Sequence, residues 1–477
     1  MSATAVSVPS RIAPSEHRLR WAVLAIVLVA EVMDLVDGTI VNVAAPAIRA
    51  ELGGSAATMQ WLVAAYTLAF AVLLVTGARL GDLVGRRRLF MIGIAGFTTA
   101  SVLCAVAASP GMLIATRALQ GAFGAVLIPQ GFGMIKQVFP ADEVTKAFAA
   151  FGPVMGLSAV AAPIIGGSLV DADPFGTGWR AIFLVNVPLG ILGLIGARRV
   201  MPRTAGTRGT RLDPGGVLIL TAASFALIYP LVQGRELGWP AWTFAMLAAG
   251  IAGFGVFAAY ERRHRNRALI EPSLLRNRAF TSGLVVAVCF FAAMIGLNLV
   301  LSLFCQIGEG FSPLRTGLTL APFAFGVALT AGASYPMAQK LGRVSMQIGF
   351  AVMAAGLTML ALMVHGADDV SSWTLVPGEL LAGAGMGLAL PPLFDFILAG
   401  VADHEVGSAS GVLNAVQQLG AALGIAVLAT IFFAYVDHGR VAADAMTNTT
   451  LLSIVPLALA TLAVFRLPRH AREAGAH

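Results

Sequence analysis

Apolar runs close to twenty residues long recur along this chain, one after another, with short polar joints between them. They fall at roughly 20–47, 58–78, 89–108, 112–137, 147–170, 180–199, 213–233, 240–260, 280–306, 314–338, 344–364, 373–398, 408–434 and 449–466. The hydrocarbon core of a bilayer takes about 20 apolar residues of α-helix. Each run is therefore read as one span, and the fold class as an all-α polytopic membrane protein with about 14 transmembrane helices. Charge content agrees: 12% of the residues are charged, roughly half the share of a soluble domain.

The placement of positive charge tests that count. With the N-terminus cytoplasmic, about 25 of the basic residues fall on inner segments and about five, Arg49, Arg180, Arg235, Arg315 and Arg440, on outer ones. Lys and Arg are retained on the cytoplasmic side, which predicts a multi-pass plasma-membrane protein with both termini cytoplasmic. The net charge of +7 then follows from topology. The basic loops at 198–211 and 262–278 suit anionic lipid, and no nucleic-acid partner is expected. Cys104, Cys289 and Cys305 sit in apolar runs, so no disulfide framework is implied. The first run is long, carries acids and lacks a small-residue cleavage site, so it is expected to remain as a span.

An internal echo suggests the organisation. Gly81-Asp-Leu-Val-Gly-Arg-Arg-Arg88 follows the second run and Ala338-Gln-Lys-Leu-Gly-Arg343 follows the tenth. An offset of eight spans fits two parallel six-helix halves separated by two extra helices. The division expected is a cytoplasmic tail at 1–19, an N-terminal half at 20–200, two inserted helices with basic cytoplasmic loops at 201–278, a C-terminal half at 279–466 and a second tail at 467–477.

Within the first run stand Glu31, Asp34 and Asp37, followed by Asn42. A charge at the centre of a spanning helix costs about 2.5–3.5 kcal/mol on insertion scales. At helical spacing the three acids fall within roughly 120° of one another, on one face. That face either handles protons or cations, or holds acids hydrogen-bonded inside a bundle. Arg117, in the fourth run, lies at a depth from which it can meet Asp37 directly or through Gln120; a snorkelling arginine is the plainer reading. Gly81, Asp82, Gly85 and Arg86 read as a tight inner turn that could switch conformation. Gly152, Gly156, Pro163, Gly166 and Gly167 bring small residues and a bend to the fifth run, as close helix packing also would. Glu379 and Asp395, near opposite ends of the twelfth run, are further candidates for substrate or cation binding; both also suit interface positions.

Together these segments resemble the major facilitator superfamily, specifically its fourteen-helix drug:proton antiporter branch, over nearly the whole chain. Residues 37–46 look like that branch's first-helix motif, 77–88 like the superfamily's inner-loop motif, and Arg117 with Gln120 and Gly121 like the fourth-helix motif linked to proton coupling. Residues 152–167 look like the fifth-helix antiporter motif, with Ala162 where that motif usually has Gly. Segments 179–190 and 407–420 are also typical of the branch. The resemblance implies a proton-coupled exporter of drugs, antibiotics or other small organic molecules, working by alternating access. Asp37, Arg117 and Gln120 would then couple protons, Glu31 and Asp34 would attract the substrate or a second proton, and Asn42 is a further substrate or cation candidate. A proton-coupled importer of a small metabolite remains open, as does a non-transporting sensor or scaffold. An enzyme is not expected, since no metal cluster, nucleophile constellation or phosphate loop appears. The expected partners are a small organic substrate, protons and membrane lipid, with a monomeric chain and no cofactor or metal.

Overall fold

The computed structural model describes residues 19–140, 150–203, 212–264, 272–367, 370–398, 405–437 and 441–470, together with Glu143, Ala147, Ile270 and Val401. Its first six long helices are α1 Arg20–Leu52, α2 Ala56–Val84, α3 Arg86–Ala105, α4 Pro110–Val138, α5 Phe151–Ala172 and α6 Gly178–Val200. Two follow as α7 Pro214–Gln233 and α8 Ala241–Arg263. The last six are α9 Arg278–Gly308, α10 Pro313–Leu341, α11 Val344–Val364, α12 Ser372–Leu398, α13 Val406–Asp437 and α14 Ala442–Val464. No strand occurs among the described residues.

Twelve of these helices are long and apolar enough to cross a membrane. The other two, α1 and α5, pack as full members of the bundle. Three acids at its centre set α1 apart, and residues 148–149, at the start of the fifth apolar run, lie outside the described set. Helix starts are set by side-chain caps that satisfy first-turn N–H groups. Ser55, Ser109, Asp213, Asn277 and Ser312 each accept such a bond. The largest departure from the expected bounds is α14, which begins at Ala442 rather than near 449. Its first turns are polar and so lie outside any apolar window. They still bury Ala445 and Met446, and Asp444 stands where the helix dipole favours an acid.

The internal repeat is explicit in the packing. The neighbours α2/α4, α3/α4, α1/α5, α1/α6 and α3/α6 recur eight helices later as α10/α12, α11/α12, α9/α13, α9/α14 and α11/α14. Each half ends its second helix on a glycine with positive φ, Gly85 at 98° and Gly342 at 59°, conformations that L side chains rarely adopt. The two turns are held differently. Arg86 pairs with Asp82 at 2.7 Å and lies over Gly133 of α4. Arg343 instead donates to the carbonyls of Phe465 and Leu467 in the segment after α14.

The halves meet along two related seams, α2 against α13 and α5 against α10. Bare backbone makes the second seam. A Cβ on Gly167 would strike the main chain at Pro313, and one on Gly317 would strike that at Pro163. The inserted α7 and α8 pack on each other, and α7 covers the α2/α13 seam. There Trp61 of α2 lies against Phe225 and Tyr229 of α7, at 6.2 Å between ring centroids for each pair. Outwardly α8 exposes Trp242, Phe244, Ile251 and Val256, as a lipid-facing helix should.

Candidate functional site

Asp37 and Arg117 are each fully buried, with 0% exposure. Their helices, α1 and α4, lie on opposite sides of a small polar centre inside the N-terminal half. Arg117 Nη1 donates to Asp37 Oδ2 in a close ion pair and to Gln120 Oε1 at 2.6 Å. Gln120 Nε2 in turn donates to Asp37 Oδ1 at 2.7 Å. The direct contact and the Gln120 bridge are thus both present, and Arg117 does not snorkel.

Three further groups complete this centre, and sequence reasoning gave none of them a role. Asn186, in α6, donates to Asp37 Oδ1 at 2.7 Å. Ser101, in α3, accepts from Gln120 at 2.8 Å and from Asn186 at 3.3 Å. The Leu62 carbonyl of α2 accepts from Arg117 Nε at 3.1 Å. Around the guanidinium stand two aromatic faces, Tyr66 at 4.4 Å and Phe183 at 5.7 Å. Such faces attract a desolvated cation. Gly121 lets α2 and α4 approach this closely, since a Cβ there would strike the Tyr66 carbonyl. Groups from five helices, α1, α2, α3, α4 and α6, therefore meet around one buried ion pair. Paired and hydrogen-bonded, a buried charge is tolerable; either one alone is not.

The other acids of α1 are held less firmly. Asp34 is half-buried and accepts a short bond from the Tyr66 hydroxyl. Its carboxylate also lies beside Gly124 of α4. Glu31 is buried, and its Oε1 accepts no hydrogen bond. Asn42 reaches the other half, donating to Asn298 Oδ1 of α9 at 3.2 Å, while its carbonyl accepts from Ser302 at 2.9 Å. Gly81 is buried against the Gln130 side chain, which donates to the Gly77 carbonyl at 2.8 Å. Gly152 and Gly156 lie within α5. Pro163 and Gly167 face α10, and Gly166 faces Ile40 of α1. Asp395 is exposed near the end of α12. Glu379 is not at an interface: it is 2% exposed, inside the C-terminal half and apart from the Asp37 centre. No group of three or more potential metal ligands occurs among the described residues.

Residues 27–425 match the Major Facilitator Superfamily. Over 427 residues the chain is 51% identical to a probable actinorhodin transporter of Streptomyces coelicolor, covering 88% of this chain and 74% of that one. Over 458 residues it is 35% identical to a puromycin resistance protein of Streptomyces alboniger, covering 94% and 89%. Among solved structures, a POT family peptide transporter superposes with a TM-score of 0.67 at 14% identity, covering 96% of this chain and 100% of that one. At that identity the likeness is one of fold.

Proposed function

The chain belongs to the Major Facilitator Superfamily, a family of membrane transporters and not of enzymes, and from that membership we propose that it exports organic antibiotics in exchange for protons. The observation that carries this reading is the buried Asp37–Arg117 pair. A carboxylate whose charge balances a guanidinium in low dielectric is a two-state element. Protonating Asp37 leaves Arg117 uncompensated, and the Gln120, Asn186 and Ser101 network must rearrange around it. Since those partners come from α3, α4 and α6, one proton reorganises helices throughout the N-terminal half. The substrate would pass between the halves near the bilayer midplane. Glu31 and Asp34, one turn apart, would attract cationic groups. Both termini would be cytoplasmic, as the basic loops require. A substrate resembling actinorhodin or puromycin is supported by the names of the two relatives, and outward movement by the resistance named for the second.

The test is transport by the purified full chain in proteoliposomes, with puromycin and actinorhodin as probes and internal pH recorded. An exporter moves protons against the direction of the drug. An importer that carries both together gives the opposite sign, and a sensor or scaffold gives no substrate-dependent proton movement; either result would overturn the reading.

A further inference from the structure

The C-terminal half contains its own buried carboxylate beside its own cavity. Glu379 lies about 10 Å along α12 from the first residue of that helix. Neither of its oxygens accepts a well-formed hydrogen bond, although the main chain at Phe323 approaches it. It opens on a cavity of ≈ 30 Å³ enclosed by α9, α10, α11 and α12, with Asn298, Met294, Leu301, Phe323 and Leu360 among its walls. A water needs roughly 10–15 Å³ and two to four polar partners. The carboxyl oxygens and the Asn298 amide meet that need, and every other wall side chain is apolar.

We propose that this chamber is a second proton site, in which Glu379 takes up and releases a proton through water admitted beside Asn298. This rests on the transport reading above and extends it from one proton to two. Among the described residues no ion pair balances the ionised carboxylate. On α11 there is no ionisable residue at all. From α9 the buried Cys305 thiol lies within electrostatic reach, and beyond it, at the helix ends, Glu309 and Arg315. Arg315 is engaged elsewhere: its Nε donates to Ser372 at 3.3 Å, and its guanidinium stacks on Phe311. Asp395 shares α12 but is exposed near its far end. An uncompensated charge in an apolar chamber is costly, so the charge on this carboxyl depends on the access of water to it. Water entering from either side would release the proton. The link to the first site is also visible. Asn298 lines the chamber and accepts from Asn42, which stands on α1 five residues after Asp37. Movement of α1 against α9 therefore disturbs both sites together.

The isosteric Glu379→Gln variant mimics a carboxyl that never gives up its proton. Full-length protein in lipid should show an infrared carboxylic C=O band that titrates with pH, disappears in Glu379→Gln and persists in Asp37→Asn. A band unchanged in Glu379→Gln, or one that does not respond to pH, overturns the proposal even if no drug is transported. Where puromycin is transported, the maximal gradient should fall by about 40-fold at about 100 mV in the variant, since one proton moving down 100 mV supplies about 2.3 kcal/mol. An equal gradient in both proteins also overturns it. Absence of transport in the wild type overturns the exporter reading and leaves the infrared result to decide this one.

Discussion

Neutralising Asp37 and Arg117 together should be less damaging than neutralising them one at a time. In Asp37→Asn the buried guanidinium keeps its charge and loses its counter-ion; the Leu62 carbonyl and Gln120 remain as its acceptors. In Arg117→Gln the carboxylate keeps two amide donors, Gln120 and Asn186, and again no counter-ion. Breaking a buried pair by removing one partner costs about 3–5 kcal/mol. Strict additivity would put the double variant at roughly 6–10 kcal/mol, as much as a whole domain's stability. Asn and Gln at these positions can instead hydrogen-bond within the same cage. The double variant should therefore recover up to about 3 kcal/mol of coupling. The assay is a double-mutant cycle on unfolding in detergent micelles, followed by tryptophan fluorescence, with proton-coupled transport measured in parallel. Stability should return while coupling does not. Losses that add to within about 0.5 kcal/mol would show that the pair is not the energetic unit its geometry implies.

Reporter fusions after residues 205, 270 and 470 should all report cytoplasm; a periplasmic signal at 270 would contradict the placement of the inserted pair. Asp82→Asn should reduce transport several-fold at normal expression, because its partly exposed ion pair with Arg86 fixes a turn and not a core. Wild-type transport in that variant would leave the turn without a part in switching. Glu31→Gln with Asp34→Asn should abolish export of a cationic compound and spare a neutral one, measured as efflux with voltage and pH gradient collapsed separately. Equal loss of both would make these acids proton carriers, and no loss of either would remove them from the pathway.

How far the sequence leads differs from residue to residue. The helices are legible because a bilayer admits almost nothing else, and errors gather at polar ends such as the start of α14. The Asp37–Arg117 contact is legible because two unaffordable charges at similar depths have few alternatives to each other. Asn186 and Ser101 are not: a neutral polar side chain in a span can bond back to its own helix, as Thr98 does to Ile94 at 2.7 Å, and spacing does not separate the two cases. Tyr66 escapes notice because its ring reads as one more apolar side chain of the span, and only its hydroxyl is polar. The position of Glu379 in its run suits an interface, whereas the side chain is buried. Its chamber is lined from four helices, α9 to α12, and no single run encodes how they come together.

The seams between the halves suggest what must give way when the end opposite the basic loops opens. At that end Asp171, closing α5, accepts from Ser312 Oγ at 2.7 Å and from Leu314 N at 3.0 Å, and so caps α10 across the interface. At the other seam Glu236, in the α7–α8 joint, accepts from Ala57 N at 2.9 Å and caps α2. Beside it Thr430 of α13 donates to the Leu231 carbonyl at 2.8 Å and lies 3.2 Å from Gln60 of α2. The inserted pair thus ties one seam, and α5 itself ties the other. Net of the bonds to water that each replaces, such a bond stabilises by only about 0.5–1.5 kcal/mol. One proton crossing 100 mV supplies about 2.3 kcal/mol, which is enough to exchange two or three of them for water. Asp171→Ala should therefore favour the opened state by about 1 kcal/mol, roughly fivefold in population. Spin labels at Phe175 and Trp373, both exposed at this end of opposite halves, would report it as a larger fraction of long distances. An unchanged distance distribution would mean that the glycine contacts of α5 with α10 hold the seam unaided, and that the cap is incidental to opening.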